Sequence, residues 1–209
     1  AAPVVADNGI DRVLVRAAQI DVDVPSSTRW AGIGVPYDVD GDVLVARPDG
    51  RAVLTLEAGA ALAFAQGAGL TIGDAERGAG ALVAVGASSR RVVLTGQAEA
   101  PGSWRGVHVT GHAEESTIEF ADLSYGGADG PMLRWDDAPG AVLRTRFEHA
   151  AGYPLALPVP RLGILLGQAQ EDAAFRSTFR DNGLDRILAT GDAPFTAREG
   201  VWGNPGAPI

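Results

Sequence analysis

The chain has 209 residues, 26 of them acidic and 17 basic, for a net charge of −9, with no cysteine. That balance argues against nucleic acid and anionic membrane as partners. The missing thiols exclude a disulfide framework, thiolate metal sites and a cysteine nucleophile. No stretch approaches the roughly 18 consecutive apolar residues of a membrane span, so no membrane insertion is expected.

The composition is 46% hydrophobic but only 6% aromatic. The core is therefore expected to be repetitive and built mainly from Ala, Val and Leu. All 17 Lys+Arg residues are arginine, which removes lysine-based chemistry. The 28 Gly and 13 Pro argue against long helices. No secretory leader is visible, so the chain reads as cytoplasmic or as a mature or excised form.

Taken in chain order, 1–35 read as an opening rung or cap. Short apolar runs then follow one another: Val43-Leu44-Val45, Val53-Leu54-Thr55-Leu56, Leu62-Ala63-Phe64, Leu70-Thr71-Ile72, Leu82-Val83-Ala84 and Val92-Val93-Leu94-Thr95. Between them stand turn signals such as Pro48-Asp49-Gly50, Glu57-Ala58-Gly59 and Gly73-Asp74. The 3.6 period of a helix is missing, and many short strands allow a sandwich, a barrel or a β-solenoid. The solenoid is favoured because Asn-Gly and Asp-Gly do not join neighbouring runs as a hairpin meander needs, and because the chain repeats internally.

Two repeats are visible. Ala141-Val142-Leu143-Arg144-Thr145-Arg146-Phe147 returns as Ala173-Ala174-Phe175-Arg176-Ser177-Thr178-Phe179, with Ile118-Glu119-Phe120-Ala121-Asp122-Leu123 as a looser copy. Alternation predicts Leu143, Thr145 and Phe147 on one face, Arg144 and Arg146 on the other. At the larger scale, Asn8-Gly9-Ile10-Asp11-Arg12-Val13-Leu14-Val15 returns as Asn182-Gly183-Leu184-Asp185-Arg186-Ile187-Leu188-Ala189, and Trp30-x-x-x-Gly34-x-Pro36 returns as Trp202-x-x-x-Gly206-x-Pro208. The chain thus reads as a single module, 1–209, phased like one unit of a tandem array. Its main coil is 36–190. A Pro/Gly-rich exit segment, 191–209, could blunt one end.

At Val92-Val93-Leu94-Thr95-Gly96, then Pro101-Gly102-Ser103-Trp104-Arg105-Gly106-Val107-His108-Val109, the chain resembles the right-handed parallel β-helix proteins of the pectin-lyase-like class. Its nearest likeness there is the bacterial secreted and cell-surface β-helix repeats. The resemblance covers roughly residues 36 to 190. It implies an all-β, right-handed parallel β-helix solenoid of about eight rungs, at roughly 20–25 residues per turn, with strands stacked about 4.8 Å apart. Glycine and aspartate would take left-handed corners.

Candidate chemistry is sparse. Asp38-Val39-Asp40-Gly41-Asp42 has the look of a calcium loop, but its glycine precedes the third aspartate, and a polar corner between strands is the plainer reading. Likeness to polygalacturonase-type hydrolases would use His112, Asp136-Asp137 and Arg186, but here the order is reversed and Leu188 stands where that family has lysine. Likeness to pectate lyases would use an arginine such as Arg144 or Arg176, with Glu119 or Asp122 holding calcium. No catalytic residue and no metal ligand is assigned, and calcium is the one cofactor left open. His108, His112 and His149 read as isolated histidines. Trp30 and Trp104 read as structural, and Trp135 as a sugar platform or a loop plug. Arg144, Arg146 and Arg176 are the candidate site, an outer basic strip for an anionic glycan, unless Glu119 and Glu148 answer them internally.

The expected function is a secreted or surface-displayed bacterial structural or adhesive module. Its partners would be a polysaccharide, a cell-surface protein or neighbouring modules. A polysaccharide lyase or hydrolase is the alternative.

Overall fold

The structure, a computed structural model, describes residues 11–20, 28–157, 164–166, 178–182, 187–189, 196–197 and 201–202. Within them the chain forms strands and no helix.

Each run is short because alternate residues must point into a narrow core and the chain must then turn. In β3 (Tyr37–Val45), β4 (Arg51–Leu56), β5 (Ala61–Phe64), β6 (Gly69–Ile72) and β7 (Ala79–Val85) the buried positions largely alternate with open ones. The next coil is β8 (Val92–Gly96), β9 (Gly106–Val109) and β10 (Ser116–Glu119), followed by β11 (Ala121–Ser124), β12 (Leu133–Trp135) and β13 (Gly140–Leu143). Then come β14 (Arg146–Glu148), β15 (Leu155–Leu157) and β16 (Ile164–Leu166). Before these lie β1 (Val13–Ile20) and β2 (Thr28–Trp30). After them lie β17 (Thr178–Arg180), β18 (Ile187–Ala189), β19 (Thr196–Ala197) and β20 (Val201–Trp202).

Every pairing between these strands is parallel, and from β4 onward each strand pairs with the strand three further on. That pattern is a three-sided right-handed parallel β-helix. Face A stacks β5, β8, β11, β14, β17 and β20. Face B stacks β6, β9, β12, β15 and β18. Face C stacks β2, β4, β7, β10, β13, β16 and β19. Strand β3 serves two faces: Tyr37 to Val39 pair with β5, and Val43 to Val45 pair with β6. Five full coils run from β3 to β16, with further strands stacked at both ends.

Coil length varies more than the expected 20–25 residues. Phe179 pairs with Trp202, 23 residues on, whereas Leu62 pairs with Leu94, 32 residues on. The extra residues go into corner loops, which lie on the surface where insertions cost little. The shorter sequence repeat is matched to the coil, since Phe147 pairs with Phe179 and Leu123 with Phe147. The longer repeat is offset from it. Val13 lies on face A but Ile187 on face B, and Trp30 lies on face C but Trp202 on face A. Both pairs of copies are shifted by one face in the same sense.

Inward residues form ladders along the axis. Tyr37, Leu62, Leu94, Leu123 and Phe147 stand in register, all buried. The neighbouring ladder, Val39 then Phe64, meets Gly96, where a side chain is missing. Trp104, from the loop after β8, fills the space. Its ring lies flat on Phe64, centroids 4.4 Å apart at 7°, and its Nε1 donates to the Ser124 carbonyl at 2.8 Å. Gly96 must be glycine because a Cβ there would overlap Ser103 Oγ. The Thr-Gly and Pro-Gly-x-Trp elements of the sequence are thus two halves of one packing device.

The corners differ from expectation. Glycines do supply many left-handed positions, but so do Phe120, Tyr125, Arg144, His149 and Asp181, with φ between 47° and 61°. Of these five only Asp181 is of the expected type. The strain, about 1–2 kcal/mol each, is offset by stacking from coil to coil. The Arg144 guanidinium lies 5.0 Å from the Phe120 ring centre, and Tyr125 stacks on His149 at 5.0 Å.

Candidate functional site

Three outward residues of face B line up along the axis. Thr71 sits between buried Leu70 and Ile72, His108 between buried Val107 and Val109, and Arg134 between buried Leu133 and Trp135. Alternation turns each outward, and register places Thr71 beside His108 and His108 beside Arg134. They line a groove of about 190 Å³, walled by Arg105, Asp129, Gly130 and Pro131.

The wall is held by backbone bonds between two loops. Gly127 N donates to the Arg105 carbonyl at 3.3 Å, and Ala128 N to the Trp104 carbonyl at 3.1 Å. Trp104 therefore both fills the core and anchors the groove's rim.

The groove is charged and internally paired. Asp136, just past β12, accepts from Arg134 Nε at 2.8 Å, and its other oxygen lies 2.8 Å from His108 Nε2. Burial alone would raise the Asp136 carboxyl, but the hydrogen bonds from His108 and Arg134 outweigh it and hold the group below its ordinary value. An ionised carboxylate can only accept, so His108 carries its proton on Nε2 and turns Nδ1 away from Asp136. At the groove's other end, Arg105 pairs with Asp42, whose Oδ1 also accepts from Gly69 N at 3.1 Å.

The sequence candidates fall elsewhere. Arg144 lies in the left-handed corner between β13 and β14, where it pairs with Glu119 and lies over Phe120. The corner breaks the alternation predicted across Leu143 to Phe147. Arg146 is half exposed, 3.7 Å from Asp122. Glu119 thus answers Arg144, as the internal-pairing reading had it. Glu148 lies in register with Ser124 on face A. Arg176 lies outside the described residues. Asp122 is also bound by Arg91 Nε at 2.6 Å.

Asp38 to Asp42 form the corner between faces A and B, within one continuous strand. Asp38 faces Arg12 at 2.9 Å and Asp42 faces Arg105. Among the described residues no group of three or more acidic or histidine side chains could hold a metal. Asp136 sits with His108, and His112 lies outside the groove. Trp135 is buried and donates to the Ala138 carbonyl at 2.9 Å, so it is a plug. Trp30, half-buried, stacks on Tyr37 at 5.3 Å.

Sequence reading missed the groove. The available signal was the set of apolar–polar–apolar triplets Leu70-Thr71-Ile72, Val107-His108-Val109 and Leu133-Arg134-Trp135, whose middle residues share a face once the coil is known.

A solenoid with three parallel faces defines the class of parallel β-helix proteins. The model of the pectate-lyase like beta helix domain matches residues 32–153, and the chain belongs to that family. No curated protein and no solved structure gives a match to the chain.

Proposed function

We propose that this β-helix is a glycan-binding module, displayed or secreted by a bacterium, and that the groove on face B receives the sugar chain. One observation carries this reading. Thr71, His108 and Arg134 stand in register on successive coils, with Arg105 beside them, as a polar track parallel to the axis. Arginine forks and a hydroxyl, backed by fixed carboxylates, suit the hydroxyl and carboxylate groups of a sugar. Fold alone would not assign it, since one fold hosts many functions. A structural or adhesive role, alone or beside neighbouring modules, follows from a rigid rod that holds such a track.

The test is calorimetry and co-sedimentation with a panel of neutral and acidic polysaccharides. The double variant Arg105→Ala/Arg134→Ala is expected to lose at least about tenfold in affinity. Arg146→Ala, on another face, is expected to leave binding unchanged. Undiminished binding by the double variant would rule the groove out.

A lyase or hydrolase acting in the same groove is the second reading, favoured by the His108–Asp136 pair, which has the form of an oriented proton carrier. Release of unsaturated or reducing ends from any polysaccharide of the panel would establish it over pure binding.

A further inference from the structure

The two copies of the longer sequence repeat meet different surroundings. In the second copy, Ile187, Leu188 and Ala189 lie in register on Leu155, Ala156 and Leu157 of the coil before, and Trp202 lies on Phe179. Asn182 ties the same junction. Its Oδ1 accepts from Ala150 N at 2.9 Å, and its Nδ2 donates to the Phe147 carbonyl at 3.1 Å. The first copy holds the same parts in the same order: Asn8, Val13-Leu14-Val15 and Trp30. Among the described residues no strand stacks before it. Val13, Val15 and Trp30 pack on the core yet are only partly buried, and Leu14 is 57% exposed.

The two frames agree as well. From aliphatic strand to tryptophan each copy advances two faces, A to C in the first and B to A in the second. After β1, face A is met again at β3, β5, β8, β11, β14 and β17, and β18 falls one face later. The repeating unit is thus six coils and a third, on the order of 30 Å along the axis. A first coil rotated by one third of a turn has the form of the coil that covers β15 and β17.

We infer that the edge of β15 and β17 is a docking edge for the first coil of a second copy of this chain, and that residues 182–202 hold that place within one chain. The copies join head to tail, each rotated a third of a turn against the last. Such a contact is heterologous and extends into a filament instead of closing. It uses none of the residues that line the groove, so it stands or falls separately from the glycan-binding reading. Segment 182–202 and an incoming first coil compete for one edge with like sequences. The segment is tethered, at an effective concentration on the order of millimolar, so the unaltered chain stays monomeric below that range. Loosening the segment while sparing the first coil tips the balance toward the second copy.

Sedimentation velocity of the full chain over a concentration series is the test. Asn182→Ala removes the segment's clamp and keeps Asn8, and its self-association is expected to begin at about tenfold lower concentration than that of the unaltered chain. Asn8→Ala added to Asn182→Ala weakens both competitors and should restore the original onset. Because the chain lacks cysteine, introduced cysteines report the register. In the Asn182→Ala background, a Leu14→Cys copy mixed with an Ala156→Cys copy should form a disulfide-linked dimer, identified by peptide mass, since docking sets the two positions side by side. Leu14 and Arg180 belong to one outward column of face A, so Leu14→Cys would link to Arg180→Cys only in a stack without the rotation. Circular dichroism checks that each variant keeps its strands. Should Asn182→Ala fail to fold, the cysteine copies mixed without it at about millimolar concentration give the same readout. An onset unmoved by Asn182→Ala, an onset that Asn8→Ala does not restore, or linkage through Arg180→Cys in place of Ala156→Cys overturns the inference.

Discussion

Trp104 shows how much one side chain carries. It occupies the place a residue at Gly96 would have filled and stacks on Phe64, while the backbone carbonyl of the same residue holds the loop that walls the groove. Trp104→Ala removes one of the two fully buried tryptophan side chains, the largest in the core. A loss of about 3–5 kcal/mol is expected, read as a fall in the denaturation midpoint; a cost below about 1 kcal/mol would mean that the loop repacks. Asp136 makes a prediction in pH. Its native value lies below its unfolded one, so the stability it contributes is complete above the ordinary carboxylate range and disappears as pH falls through the lowered native value. The stability gap between the unaltered protein and Asp136→Asn should therefore be widest near neutrality and close in acid. Urea unfolding at a series of pH values would measure it, and a gap of constant size down to about pH 2.5 would show that the charge contributes nothing.

At the scale of the element, the corner between faces C and A is tied by Arg91. Its guanidinium donates to Asp122, to the Ala121 carbonyl and to the Arg144 carbonyl, each at 2.6 Å, and so joins three coils. Arg91→Ala leaves two carbonyls short of a donor and should cost about 2 kcal/mol. Arg91→Lys should recover only part of that, because an ammonium cannot span the same three acceptors as a planar fork. Equal stability of Arg91→Lys and the unaltered protein would show that charge alone matters there. The strands themselves were legible in the sequence, because an inward–outward–inward run needs apolar–x–apolar, and Val43-Leu44-Val45 through Val92-Val93-Leu94-Thr95 have that form. Which strand lies beside which was legible only where successive coils repeat the same residues, as with Phe147 and Phe179. His108 read as isolated and Arg134 went unremarked because loops of different length separate the coils that bring them together. The corner arginines misled for a related reason: Arg144 lies within an apparently alternating run, but its backbone turns left-handed at φ 49° and ends the strand.

For the whole molecule, contacts are between neighbouring coils, so stability is a sum of local interfaces. Strands β8, β9 and β10 are covered on both sides by further coils, whereas among the described residues β2 has a single neighbour, β4. Hydrogen exchange followed by mass spectrometry should show the slowest amides in β8 to β10 and progressively faster ones toward β2. Uniform protection along the stack would instead indicate one global unfolding unit. The family match over 32–153 spans the same central coils, those that hold Trp104 and the groove.

The parallel stacking of β3 to β16 also has a mechanical meaning. The hydrogen bonds between coils point along the axis, so tension applied along it does not shear many bonds at once. It opens them one coil at a time, like unwinding a spring from its end. Because paired positions lie 22 to 37 residues apart, each released coil would lengthen the chain by about 75–130 Å. A rod built in this way yields in steps of low force and re-forms them when slack returns, so a coil lost at one end leaves the groove in the middle intact.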